Sequence, residues 1–137
     1  MSERGRADHD GAVAETIRSL YRALGDRAAF DAHLASDITI WESDAPDLID
    51  GVSGLDALRD ERAGRARAAD SAAPAWVAPE DIRVDRWDDA AVARFVLRAH
   101  YPDREDETFR VTDVLTAVGG RWLIVHHHAE RHPHPHP

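Results

Sequence analysis

The stretch Val111 to Ala129, VTDVLTAVGGRWLIVHHHA, limits what this chain can fold into more than any other. Two apolar runs flank Gly119-Gly120, and a Gly-Gly pair supplies the positive φ angles of a tight hairpin. The stretch therefore predicts two long antiparallel strands. Period-2 alternation puts Val111, Leu115 and Ala117 on one face of the first strand. Asp113 stands in the middle of that face. A carboxyl group there is costly unless it is hydrogen-bonded, stays protonated or lines a cavity. That single misplaced charge is the best pointer to function in the sequence.

Composition narrows the chemistry. A chain of 137 residues suits one domain with a real hydrophobic core. It has no cysteine, which rules out a disulfide framework, a thiol nucleophile and a cysteine metal cluster. All 17 basic residues are arginine, so a Schiff-base lysine and a P-loop lysine are excluded. A net charge of −9 argues against nucleic acid and anionic membranes as partners. No apolar run approaches the roughly 20 residues of a transmembrane helix. The opening MSERGRADHD lacks a secretory core, which makes a cytoplasmic location the expectation.

In chain order, residues 1–10 read as disordered, and Asp10 as the N-cap of a first helix. Val13, Ile17, Leu20, Tyr21 and Leu24 form its amphipathic stripe, and Gly25 stops it. Asp26 caps a short second helix carrying Phe30 and Leu34. Asp37–Glu42 alternates as a strand, with Ile38, Ile40 and Glu42 on one face. Ala45-Pro46-Asp47 turns the chain into a short return strand at Leu48-Ile49. Ser53 and Asp56 resemble a capping box before a third helix, with Leu55, Leu58 and Arg62 facing inward. Residues 63–75 read mostly as a mobile connection. Ile82, Val84 and Trp87 mark a strand. Ala91 to Tyr101 marks another, with Phe95, Leu97 and Ala99 opposite Arg94, Arg98 and His100. Residues 131–137, RHPHPHP, read as a disordered tail. Helices early and sheet late predict an α+β domain over residues 11–130. Its curved antiparallel sheet would wrap the N-terminal helices as a cone with a ligand-sized mouth.

That element order, together with ALGDRAAFDAHLASDITIWESDAPDLIDGVSG and TDVLTAVGGRWLIVHHH, resembles the nuclear transport factor 2-like (cystatin-like) superfamily. The ending Gly-Arg-Trp-x-x-Val-His-x-His is similar to the SnoaL-like proteins and to the association domain of calcium/calmodulin-dependent kinase. The ketosteroid isomerases are a further branch. Their first long strand carries an Asp general base, a position held here by Glu42. Their protonated oxyanion-hole Asp falls on Asp113. Their Tyr donor on the first helix falls on Arg18, a departure from the isomerase pattern. The pocket arginines of the kinase association domain fall on Leu97, Asp113 and Ala129, so the resemblance does not imply carboxylate binding of that kind.

Three residues emerge as catalytic candidates: Glu42 as a base, Asp113 as a hydrogen-bonding acid, and His127, which alternation from Val125 and Ala129 puts on the pocket face. Arg18, Tyr21, Trp41, Leu58, Arg62, Phe95, Leu97, Leu115 and Ala129 are candidates for substrate contact. His126-His127-His128 cannot chelate one metal, because neighbouring strand side chains point to opposite faces. No metal or cofactor is expected. The expectation is an enzyme moving a proton next to a carbonyl, by isomerisation, cyclisation or dehydration, on a small, apolar, neutral substrate. The rival expectation is a non-catalytic ligand-binding or oligomerising domain. Either would be a homodimer through the outer sheet face.

Overall fold

A computed structural model describes residues 8–132. The elements run α1 (Asp8–Arg22), α2 (Arg27–Asp31), β1 (Leu34–Glu42), β2 (Ile49–Asp50), α3 (Gly51–Ala69), β3 (Trp76–Trp87), β4 (Ala90–Tyr101), β5 (Arg104–Val118) and β6 (Arg121–Arg131). One curved, unclosed six-stranded sheet, in the order β2-β1-β6-β5-β4-β3, carries the helices on its inner face. α1 packs on β3 and β4, and α3 on β1 and β2. The fold is α+β, as expected. One ladder departs from the antiparallel expectation: β1 runs parallel to β6, with Ile40 beside His127 and Glu42 beside Ala129.

The core lies between sheet and helices. Val13, Ile17 and Leu20 of α1 meet Ile38 and Ile40 of β1, Phe95 of β4, Leu115 of β5 and Ile124 of β6. Fully burying each large aliphatic contributes roughly 1.5–3 kcal/mol. The Gly-Gly hairpin forms as the sequence demands: Val118 pairs with Arg121, while Gly119 and Gly120 take φ of 57° and 79°.

Several element boundaries differ from the sequence reading. Asp10 lies inside α1 rather than capping it. Asp26 caps α2, accepting from the Ala29 N–H at 3.1 Å, but Leu34 begins β1 instead of continuing that helix. α3 starts at Gly51 after Asp50, so the Ser53–Asp56 capping box is not what opens it. α3 also continues through most of the expected connection, because Ala and Arg are strong helix formers even without an apolar stripe. It ends at Asp70, in the left-handed region at φ 54°, with the Ser71 N–H bonded to the Ala66 carbonyl at 3.0 Å. β3 begins six residues earlier than Ile82 and contains Pro79, tolerated because β3 is an edge strand. The expected disordered ends fall mostly outside the described residues. Asp8–Asp10 are nevertheless helical, and Arg131 closes β6. Among the described residues no helix is long and apolar enough to cross a membrane.

Candidate functional site

Cross-strand register builds the site. Asp113 of β5 pairs directly with His127 of β6, and His127 sits beside Ile40 of β1. These three side chains form one row on the inner face, and Glu42 follows two residues along β1. A register shift between Val114 and Leu115 marks a bulge in β6 at Val125. As a result Ile124, not Val125, shares the inner face with His127 and Ala129. This corrects the alternation counted from Val125, while His127 keeps the side expected for it.

Asp113 has no exposed surface. The His127 Nδ1–H donates to its Oδ1 at 2.6 Å. The other oxygen, Oδ2, is buried with no hydrogen-bond partner among the described residues. The Nε2 of His127 lies 3.5 Å from Glu42 Oε2, too far for a close hydrogen bond but well within Coulombic reach. The side chains of His127 and Glu42 are only 15% and 17% exposed. Beyond Glu42, Arg62 Nη2 stands 3.3 Å from Oε1. Arg62 also grips Asp44 with two bonds of 2.9 and 2.8 Å, and Arg65 joins Asp44 at 3.0 Å. The result is an alternating chain of acids and bases from the sheet floor to the rim.

The electrostatics follow from this layout. Burial alone disfavours a charged His127, but the Asp113 carboxylate and then Glu42 outweigh it and push its pKa up from 6.5 to about 10. His127 is then an imidazolium at neutral pH, its Nδ1–H bonded to Asp113 and its Nε2–H facing Glu42. At the rim, the Arg62 hydrogen bonds hold Asp44 down at about 2. Burial, and then the charges of Asp113 and Glu42, raise Tyr21 well above its ordinary value and keep it a phenol. Its ring meets Phe30 and Phe95 edge-on, with centroids 6.2 and 6.0 Å away.

A cavity of about 770 Å³ opens above this row, within the range of small-molecule sites. Its walls are mainly apolar (Leu20, Phe30, Leu34, Ile38, Leu97 and Phe109), with Glu42, Asp44, Arg62 and His127 clustered among its polar groups. Among the expected contact residues, Tyr21, Arg62, Leu97 and Ala129 line this space. Five others do not. Arg18 is half exposed, 3.7 Å from Glu15, and faces a separate hollow instead. Trp41 points to the outer sheet face, 43% exposed. Leu58, Phe95 and Leu115 are spent in the core beneath the walls. Asp44, Arg59 and Phe30 reach the cavity without having been singled out by the sequence. None of the three had a clear signal: Asp44 lies in the turn after β1, where strand period no longer applies. Among the described residues no group of three or more His, Asp or Glu is placed to hold a metal ion.

Comparison with known proteins agrees with the architecture. The model of the SnoaL-like domain matches residues 13–129. No curated protein matches the chain by sequence. Among solved structures, an NTF2-like protein of unknown function from Pseudomonas putida KT2440 is 21% identical, with 89% of this chain and 85% of that one covered and a TM-score of 0.75. The S. rosetta CaMKII hub is 20% identical over 96% of this chain and all of that one, 100%, with a TM-score of 0.70. A Shewanella frigidimarina protein assigned provisionally as a ketosteroid isomerase is 22% identical over 87% of this chain and 94% of that one, with a TM-score of 0.63. At these identities the likeness concerns the fold.

Proposed function

Because the chain belongs to the SnoaL-like domain family, we propose that its cavity is an active site for cofactor-free proton transfer next to a carbonyl. The observation that carries this reading is the pairing of His127 with Glu42 at the polar end of an otherwise apolar space, with Asp113 buried behind. Glu42 removes the proton from the carbon beside the carbonyl. The His127 Nε2–H donates to the carbonyl oxygen as negative charge builds there, in a dry site where such a bond is strong. Asp113 fixes the ring by its Nδ1–H and holds it charged. Arg62 engages one oxygen of Glu42 and leaves the other turned toward His127.

The resulting enolate has three outcomes. Reprotonation at a conjugated carbon gives isomerisation, attack on a second carbonyl gives cyclisation, and loss of a β-hydroxyl gives dehydration. Each balances without a redox partner. The test is turnover of a panel of β,γ-unsaturated ketones, with deuterium incorporation from solvent as a second readout. Glu42→Gln should lower the rate by about 10²–10⁴-fold, the usual worth of a general base. No turnover or exchange by the parent protein, or rates in Glu42→Gln and His127→Gln both unchanged from the parent, would overturn the assignment. The second reading, a non-catalytic domain of the same fold, draws on the likeness to the CaMKII hub. Ligand binding without exchange would favour it.

We also propose a homodimer through the outer sheet face. Trp41 stands exposed there, beside His128 in register, and the Thr39 hydroxyl meets His126 Nδ1 at 2.7 Å on the same side.

A further inference from the structure

A second hollow, of about 740 Å³, adjoins the first. It lies between the end of α1 and the segment leading into β3, and Arg18, Arg22 and Trp76 are among its walls. Tyr21, Leu24, Pro74 and Val77 line both spaces, which meet along this shared rim. Two large apolar residues here are left open to water: Leu24 is 50% exposed at the shared rim, and Trp76 is 47% exposed in the second hollow. Exposed apolar groups of this size around a concavity mark a surface that a ligand covers.

The charges of the second hollow are one-sided. Among the described residues, its ionisable walls besides the Tyr21 phenol are Arg18 and Arg22. Both turn to the same carboxylate, Glu15, with Arg18 at 3.7 Å and Arg22 in direct contact. Two guanidinium groups sharing one acid leave a positive excess in a chain whose net charge is −9. In the first cavity each lining arginine is answered by its own acids: Arg62 by Glu42 and Asp44, Arg59 by Asp31 and Asp56, and Arg131 by Glu107.

From this continuity and this charge we infer that the ligand is an elongated anionic amphiphile. Its carbonyl end enters the first cavity, its apolar body crosses the rim at Leu24, and its carboxylate or phosphate tail is met by Arg18 and Arg22. This rests on the proposed function for the carbonyl end, and it replaces the neutral substrate expected from the sequence with one neutral at the reacting end only. Arg18 and Arg22 would set specificity without touching the reacting atoms.

Binding of dodecanoate and of dodecanol to the full chain tests this, read by calorimetry and by tryptophan fluorescence. Dodecanoate should bind about tenfold more tightly, the worth of one charge-assisted hydrogen bond. The double variant Arg18→Ala/Arg22→Ala should lose that preference, and Arg18→Lys/Arg22→Lys should recover part of it. Both arginines are exposed, and among the described residues both pair with Glu15, so their replacement leaves the core intact. The fluorescence change should vanish in Trp76→Phe. Equal binding of the two probes, or a preference untouched by the alanine pair, would overturn the inference. A preference lost in His127→Gln instead would place the anion at the first cavity. That outcome refutes the tail site while leaving ketone turnover, and its dependence on Glu42, as a separate question.

Discussion

A carboxyl group taken wholly out of water costs several kcal/mol unless something answers its charge. For Asp113 the answer is His127, and the bond between them shapes the behaviour of both. The elevated pKa of His127 has a consequence for stability. A group whose folded pKa of about 10 exceeds its ordinary 6.5 adds stability that is complete below 6.5 and lost as pH rises through the folded value. The protein should therefore weaken steadily against urea between those limits. Asp113→Asn should lower stability at neutral pH and flatten that decline. Urea midpoints that do not move across this range in the parent protein would contradict the pairing. The sequence made Asp113 visible because a charge interrupts Val111 and Leu115 on a buried face. It could not reveal that Oδ2 has no partner among the described residues, which depends on what packs over β5, or that Arg62 reaches Glu42, which depends on how α3 lies across β1.

At the scale of elements, the Gly119-Gly120 turn sets the register of β5 on β6 as far as Leu115 and Ile124, and the bulge at Val125 then shifts it by one residue, which brings Asp113 opposite His127 instead of His126. Both glycines have positive φ, which a β-branched side chain resists most. Gly120→Val should cost about 1–2 kcal/mol in urea unfolding. Gly119→Asn should be nearly neutral, because Asn tolerates that region. Equal stability for Gly120→Val and the parent would show that the hairpin does not depend on this turn. The hairpin and α1 were legible in the sequence because turn chemistry and apolar period are local signals. The parallel pairing of β1 with β6 was not, because it is decided by the order of the whole sheet. The length of α3 was missed because Ala63 to Ala69 carries helix propensity without an apolar face. Leu34 was misassigned to α2 for the opposite reason. Its spacing from Phe30 fits a helix, yet it pairs with Ile124 in the sheet.

The whole molecule works as a curved sheet left open at one end, with helices lining the opening and an outer face left bare. The inner side supplies the cavity and the outer side supplies Trp41 and the histidines of β6. A homodimer should appear in solution as about twice the 15.2 kDa chain by light scattering. Trp41→Asp should convert it to the single-chain mass without altering the cavity. A parent protein that stays at the single-chain mass at high concentration would refute this interface. The proposed chemistry depends on a charged His127 that faces Glu42 from the floor of the cavity. The most direct measurement is a long-range ¹H–¹⁵N NMR titration of the histidines, with His127→Gln assigning the signal. The account predicts that both His127 nitrogens are protonated at neutral pH, with a midpoint near 10 that falls toward 6.5 in Asp113→Asn. A neutral His127 at neutral pH, titrating at or below 6.5, would contradict it.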